Sequence, residues 1–334
     1  NLAVTTAKIA ADAIDGTKIA DDAVAQEHIA DASVDEARLQ ISNSPTNGYA
    51  LTAQSGNTGG LTWAEMSSGV SSDAQKNTIA GTEAGDAFTG TDANQNSLYG
   101  HSVGTSITTG DGNTGIGYEA LKDTTTGGYN TGLGYRAGEN ITTGNYNVAV
   151  GINSLQQATT GSDNIAIGRN ALATQDTMSN NVAIGRSALY ANTGVENTAV
   201  GKESLAANTS AAANTGVGSE SLKATTTGGS NSGLGYQSLY TNTTGGGNTA
   251  LGREALKANT TASDSTAVGY KALLANTTGG FNVAIGKSAL VVNTTASNNT
   301  AVGALALDAN TTGTTNVAVG TNSLSANTTG SYNT

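Results

Sequence analysis

The chain contains no cysteine, a single proline and few aromatic residues. Without cysteine, disulfides and thiolate metal sites are excluded as supports for the fold of these 334 residues. Aromatic residues are 4% of the chain, and no apolar run is long enough to span a bilayer, so membrane insertion is not expected. Lysine and arginine are also scarce. The chain has 14 of them against 25 acidic residues, which gives a formal net charge of −11. This charge argues against a nucleic-acid partner, since little is present to neutralise phosphates.

A repeat of 17 residues fills most of the chain. The sequence Asn-Thr-Ala-Val-Gly, or a close variant, returns at this interval with one 16-residue step. A strict period of this length predicts a stack of similar structural units, not a globular domain with a pocket. Abundant glycine with few aromatics is also typical of disordered chains, but a disordered chain has no reason to keep its apolar residues at fixed intervals. The repeat glycines are Gly117, Gly134, Gly151, Gly168, Gly185, Gly201, Gly218, Gly235, Gly252, Gly269, Gly286, Gly303 and Gly320.

Residues 282–298 are a representative unit. Val283 and Ile285 place β-branched residues at alternate positions, which favours a short strand, and Gly286 permits a sharp turn or a close backbone approach after it. Alanine, valine, isoleucine and leucine are expected to supply the inward residues, and the closing Asn-Thr-Thr segment is expected to form turns. The sequence leaves open whether the limb after the glycine is a strand or a helical turn, and which hand the coil has. The leucines that recur in this limb are Leu256, Leu273, Leu290, Leu307 and Leu324.

We therefore predict a mainly β, elongated fold in which residues 96–334 form a β-solenoid or β-roll shaft with coils about 4.8 Å apart. A single coil of small residues has a thin core. Burying the remaining apolar face against other copies is the natural remedy, and identical rods packed around an axis form a cyclic oligomer.

The first 95 residues differ from the shaft. Residues 1–40 carry apolar residues at steps of five, a period that fits neither a helix nor a strand. This pattern predicts a tightly wound β stalk in which several chains combine, with an acidic amphipathic helix as the alternative. Residues 41–95 contain two apolar runs separated by glycines, which favour a hairpin joint anchored by Trp63, and then a degenerate first repeat at 77–81. The predicted stalk core is Ile9, Ile14, Ile19, Val24, Ile29, Val34 and Leu39.

Three segments resemble known fibre sequences. The units of residues 96–334 resemble the head repeats of trimeric autotransporter adhesins, which are parallel β-rolls packed as homotrimers, although the period here is longer. Residues 18–24 and 27–31 resemble stalk repeats in tail-fibre proteins of bacteriophages, particularly the short-tailed marine type, and residues 47–56 and 59–63 are similar to a linker motif of those fibres. The resemblance implies a homotrimer with a particle-attached end and a receptor-facing end, and it leaves the receptor unidentified.

Candidate chemistry is sparse. His28 and His101 occupy positions that other residues fill in neighbouring repeats, so neither is expected to act as a general base. The Gly-Leu-Gly segments lack the third glycine and long helix of a phosphate loop, and no spaced calcium loop is present. We therefore expect no catalytic residue, no metal site and no cofactor. One row is singled out for binding sugars or acidic polymers, with a structural ladder or a contact between protomers as the favoured reading: Tyr118, Tyr135, Arg169, Arg186, Lys202, Tyr236, Arg253, Tyr270 and Lys287.

The sequence thus predicts a non-enzymatic shaft of a viral tail fibre that carries host attachment. Its expected partners are two further copies of itself, other virion tail proteins on its N-terminal side and a host cell-surface receptor, for which a glycan is one candidate. The expected location is the virion tail, outside the cell. A bacterial trimeric surface adhesin is the main alternative. An ice-binding solenoid is a further one, because Thr-Thr pairs recur along the chain.

Overall fold

The computed structural model describes residues 49–53, 61–65, 71–88, 92–174 and 177–334. The chain divides into two compact units between Ser68 and Gly69. The predicted stalk of residues 1–40 lies outside the described residues, so its winding and its apolar core remain predictions.

The first unit contains a pair of antiparallel strands. β1 (Tyr49–Ala53) pairs with β2 (Leu61–Glu65), with Leu51 opposite Trp63. These are the two apolar runs for which the sequence predicts a hairpin. Their side chains lie outside the described part of the structure, so the anchoring role of Trp63 stays a prediction.

The second unit is a parallel β-solenoid. Within the described residues its sheet has sixteen strands in consecutive order, and only β3 runs antiparallel to its neighbour. Each strand from β4 to β18 has three residues, and consecutive strands within this run pair in parallel. The strands are β3 (Ser71–Ser72), β4 (Thr78–Ala80), β5 (Ser97–Tyr99), β6 (Thr114–Ile116), β7 (Thr131–Leu133), β8 (Val148–Val150), β9 (Ile165–Ile167), β10 (Val182–Ile184), β11 (Thr198–Val200), β12 (Thr215–Val217), β13 (Ser232–Leu234), β14 (Thr249–Leu251), β15 (Thr266–Val268), β16 (Val283–Ile285), β17 (Thr300–Val302) and β18 (Val317–Val319).

Strand pairing is in register from turn to turn, even at the single short step. β10 and β11 pair Val182 with Thr198 and Ile184 with Val200, although only 16 residues separate them. The missing residue falls between Asn192 and Gly194. The Asn192 side chain bonds the carbonyl two residues ahead, whereas the equivalent bond in later turns spans three. The deletion therefore shortens an outer arm and leaves the sheet intact. From β4 to β18 the stack is about 65–70 Å long at the usual strand spacing.

The interior is built from alanine and leucine. Ala284, the middle residue of β16, and Leu290 are both fully buried, whereas Ile285 is 40% exposed. The expectation that isoleucine and valine share the interior with alanine and leucine is therefore wrong at the strand positions, although Val103, Ile107 and Ile141 are buried in the other limb. The reason is space: successive side chains at one position are only about 4.8 Å apart, and leucine from the opposite limb already fills the narrow cross-section. The alternate strand residues consequently point outward.

The limb after each strand glycine is a stacked series of turns. The described residues contain no helix, and the limb is not a strand either. Its backbone groups bond the next turn, as in the 3.0 Å bond from the Leu256 amide to the Ala272 carbonyl. Leu256 has φ 50°, a left-handed conformation that costs an L-residue about 1–2 kcal/mol. Full burial of leucine contributes about 1.5–3 kcal/mol, which offsets that strain.

Candidate functional site

The described residues contain no cluster of metal-ligating side chains. Across those parts of the chain, no three histidine, aspartate or glutamate side chains cluster to hold a metal ion, and no helix has the length and apolarity needed to cross a membrane. His101 stacks on Tyr118 with ring centroids 5.3 Å apart. The Ser102 hydroxyl lies between the His101 ring and Glu83, donating to the carboxylate at 2.7 Å. A nucleophile relay needs histidine between serine and the acid, so this contact is structural.

The repeat glycines form a continuous column. Gly252 has φ 138°, and a Cβ placed on it would lie 2.6 Å from the carbonyl oxygen of Gly269 in the next turn. Side-chain contacts that close do not occur, so the turns can stack at strand spacing only because this position lacks a side chain. Gly320, which has no such neighbour, has nothing within 4 Å of the same point.

The recurring leucines pack behind the sheet. Four of them are fully buried, and Leu324 in the last turn is partly buried against the same cluster. They lie opposite the strand alanines and join one apolar core that continues from turn to turn. The buried four are Leu256, Leu273, Leu290 and Leu307.

A buried asparagine ladder precedes the strands, and sequence reasoning missed it. The Asn248 amide and its Nδ2 both donate to Oδ1 of Asn231, at 3.0 and 3.1 Å, and Nδ2 also reaches the Ala262 carbonyl at 2.8 Å. The Asn248 side chain thus links the preceding turn, through Asn231, to the backbone of Ala262 further along the chain. We call this set the strand-side ladder: Asn77, Asn96, Asn113, Asn130, Asn147, Asn164, Asn181, Asn197, Asn214, Asn231, Asn248, Asn282, Asn299 and Asn316, all at most 1% exposed.

The sequence predicts turns for the asparagines of the Asn-Thr-Thr segments, which is a common use of this residue, and it predicts no buried role for the asparagine before each strand. The signal that distinguishes the ladder is its constancy, since serine replaces asparagine only at residue 265 within this run. Ser265 keeps part of the pattern, because its hydroxyl accepts the Asn282 amide at 3.2 Å.

A second buried ladder runs through the Asn-Thr-Thr segments. Asn259 donates through Nδ2 to Oδ1 of Asn242 at 2.8 Å and to the Ala262 carbonyl at 3.0 Å. We call this set the arm ladder. It is interrupted at Thr225, whose hydroxyl is buried without a partner, as is Oδ1 of Asn208 one turn earlier. Its members are Asn192, Asn208, Asn242, Asn259, Asn276, Asn293 and Asn310, all fully buried.

Some Asn-Thr-Thr segments match the acceptor sequence for N-glycosylation, but the arm ladder buries their asparagine side chains in the folded chain. The Asn259-Thr260-Thr261 tripeptide matches an acceptor sequence, but Nδ2 of Asn259 is fully buried and donates two hydrogen bonds. Thr260 donates through its hydroxyl to the Thr277 carbonyl at 3.1 Å. These segments therefore hold successive turns together.

An apolar row follows the outside of the sheet. The outer row consists of the last residue of each strand from β5 to β18, and every member is apolar. Ile165 and Val317, first residues of their strands, are exposed on the same face. Nine members of the outer row are 36–70% exposed: Tyr99, Ile116, Leu133, Ile167, Ile184, Leu234, Leu251, Ile285 and Val319. An exposed apolar band of this length marks an interaction surface.

Beside the outer row, the residues that follow the strand glycines form a basic–aromatic row. Tyr118 stacks on Tyr135 with centroids 5.3 Å apart and planes 9° from parallel. Arg253 lies between Tyr236 and Tyr270, 5.8 Å from each ring centroid. The rings of Tyr118 and Tyr135 therefore stack on neighbours within the row, and all four tyrosines remain partly exposed. A shorter stack, Tyr129 on Tyr146, lies at the other end of the strands.

Ion pairs join turns next to this row. Burial would raise the pKa of the Glu119 carboxyl, but hydrogen bonds from Lys122 and Arg136, at 3.1 and 2.8 Å, outweigh burial and hold that pKa below its usual value. The pKa of Glu203 is also lowered, chiefly by its 2.8 Å contact with Lys223. These carboxylates are charged at neutral pH and bridge neighbouring turns.

Compared with protein-family models, curated proteins and solved structures, the chain has no significant match.

Proposed function

We propose that this chain is the shaft of a homotrimeric fibre, with a mechanical and not a catalytic role. The observation that carries the proposal is the outer row, an apolar band on the outside of a stiff parallel sheet. Two further copies of the chain, packed around a common axis, would cover it.

The free energy gained by burying the outer row is comparable with the free-energy cost of association. Burying an aliphatic side chain contributes about 1.5–3 kcal/mol, so burying the exposed two-fifths contributes about 0.6–1.2 kcal/mol. The nine exposed members then supply about 5–11 kcal/mol. Association costs roughly 4–15 kcal/mol, so the row offsets much of that cost, and the exposed first residues of the strands add to it.

The interior supports a load-carrying role. The glycine column, the leucine core and both asparagine ladders link each turn to the next by contacts that repeat through the described residues 97–174 and 177–319. Because every turn is held by the same side-chain bonds, bending the stack would break several of them at once.

The viral assignment rests on the sequence. Residues 18–31 resemble tail-fibre stalk repeats, and residues 47–63 resemble a fibre linker. We propose that the shaft belongs to a bacteriophage tail fibre, where it holds a receptor-binding end away from the particle. A bacterial surface adhesin would use the same solenoid. The ice-binding alternative is less favoured, because in several Thr-Thr pairs one hydroxyl donates to the next turn, as that of Thr243 does to the Thr260 carbonyl at 3.0 Å.

Substitution of the outer row tests the proposal. We expect Ile285→Asp to leave a folded monomer, because the side chain is exposed in a single chain, and to abolish trimer formation by placing a charge in the interface. Lys287→Ala, two residues away in the basic–aromatic row, is the control and should leave a trimer. Circular dichroism reports folding, and light scattering reports mass. A trimer of Ile285→Asp with wild-type stability would refute the assignment of this face.

A further inference from the structure

We propose that three consecutive cations of the basic–aromatic row, Arg169, Arg186 and Lys202, form a binding site for a carboxylated polysaccharide lying along the solenoid axis. This site goes beyond the shaft role and does not depend on the oligomeric state, because every residue of it belongs to one chain.

The composition of the row is the first observation. The chain has 25 acidic and 14 basic residues, yet the basic–aromatic row between His101 and Thr321 contains five lysines and arginines and no acid. A row of solvated positions drawn from this composition would carry more acids than bases. The excess of positive charge is therefore local, on the surface of a chain whose net charge is −11.

Register is the second observation. Arg169, Arg186 and Lys202 follow the glycines after β9, β10 and β11, and these strands pair in register, so the three side chains start from points about 4.8 Å apart. They point from one side of the sheet and span roughly 10 Å. An extended polymer with one carboxylate per sugar would meet a cation at each turn.

The charge balance leaves the site positive. Glu203 contacts Arg186 at 2.7 Å, Lys202 at 3.6 Å and Lys223 at 2.8 Å, so one carboxylate is shared among three cations. Arg169 is exposed and forms no ion pair with any described residue. Arg186 and Lys202 are 44% and 49% exposed, so both keep donors for a ligand. Glu203 offsets one positive charge, and Lys223 is also paired with Glu220 at 3.4 Å, so Arg169, Arg186 and Lys202 together keep an excess of positive charge.

The tyrosines on either side define the ligand class further. Tyr118 and Tyr135 lie toward the N-terminus and Tyr236 lies toward the C-terminus of the three cations, and each is exposed. Hydroxyl groups offer hydrogen bonds to sugar hydroxyls. Nucleic-acid bases would need free ring faces to stack on, and the faces of Tyr118 and Tyr135 are occupied. A polysaccharide is therefore favoured over a nucleic acid.

The test is titration of the full chain with three probes: polygalacturonate, neutral dextran and a single-stranded thymidine oligonucleotide. We expect binding of polygalacturonate that weakens with added salt, no binding of dextran, and weaker or no binding of the oligonucleotide. R169A/R186A should lower the affinity for polygalacturonate at least tenfold, and R169K/R186K should restore most of it. The control K257A/K271A removes the same charge outside the row and should keep the affinity within twofold.

The outcomes separate clearly. No binding of polygalacturonate by the wild-type chain, or equal loss in R169A/R186A and K257A/K271A, overturns the site. Tighter binding of the oligonucleotide overturns the ligand class and assigns nucleic acid to the row. Mass by light scattering is measured on the same samples, so a monomeric chain that binds polygalacturonate would refute the trimer and support this site.

Discussion

Replacing one repeat glycine with alanine should open the solenoid locally. In Gly252→Ala, the added Cβ would lie 2.6 Å from the Gly269 oxygen, whereas ordinary contacts begin at 3.4 Å, so the turns must separate by about 0.8 Å. Two backbone bonds cross this gap: the Gly269 amide donates to the Leu251 carbonyl at 2.8 Å, and the Leu256 amide donates to the Ala272 carbonyl at 3.0 Å. Lengthening them to about 3.6 and 3.8 Å removes them.

The magnitude follows from two contributions. Holding an L-residue at φ 138° costs about 1–3 kcal/mol, and losing two hydrogen bonds costs about 1–3 kcal/mol more. Gly252→Ala should therefore destabilise its turn by about 2–6 kcal/mol. Gly320→Ala is a matched control, because it has φ 120° and no atom within 4 Å, and it should cost only the conformational part.

Hydrogen exchange is the suitable assay, because long repeat arrays need not unfold in one step. The amides of Leu256 and Gly269, whose bonds cross the opened gap, should lose protection by roughly 30-fold or more in Gly252→Ala, since each 1.4 kcal/mol is a factor of ten. Gly303, whose turn precedes Gly320, reports the control. Equal losses of protection in the two variants would show that stacking contact does not determine the glycine column, and the reasoning would fail.

Three further variants probe the ladders, the ion pairs and the core. Thr225→Asn should stabilise the chain by about 1–3 kcal/mol in thermal unfolding, because it joins the interrupted arm ladder through two new hydrogen bonds; an unchanged or lower melting temperature would contradict this. The lowered pKa of Glu119 contributes stability that is present above the ordinary carboxyl pKa of 4.5 and is lost as pH falls through the folded-state pKa. Glu119→Gln removes this contribution. The melting temperature of the variant should therefore fall less than that of the wild type between pH 6 and pH 3, about the range of carboxyl titration. Gly138→Leu should destabilise the chain, because a Cβ there would lie 2.9 Å from Ile141 Cδ1, and Gly138→Leu/Ile141→Thr should recover most of the loss in a double-mutant cycle; additive losses would refute the packing account.

The period alone is enough to predict a parallel β-solenoid, because a strict 17-residue spacing of strand and glycine permits little else. It could not decide which strand residues face inward. Alternation in Ala284-Ile285 is compatible with either direction, and hydrophobicity favours the larger side chain inside. The structure buries Ala284 because Leu290 occupies the space on the opposite limb. The hydrophobicity of the residues in one repeat does not show that Leu290 and the strand residues compete for the same interior volume.

Backbone conformation was the other unpredictable element. Leucine is a poor residue for positive φ, so nothing in the type of Leu256 indicates φ 50°. The sequence does contain one indication that this leucine position has a left-handed backbone and faces the interior. Where Gly138 replaces leucine, Ile141 fills the vacated space, and Gly104 with Ile107 repeats the exchange. The asparagine ladders were missed for a related reason, because asparagine is expected in exposed turns and its burial depends on bonds that only stacking creates.

The central claim is that copies of this chain pack through the outer row, and the mass of the purified chain in solution tests it most directly. Size-exclusion chromatography with multi-angle light scattering should give three times the chain mass of 32.9 kDa, with a narrow rod in negative-stain images. A monomer with an intact solenoid, measured by circular dichroism on the same sample, would contradict the account and leave the apolar face without the partner proposed for it.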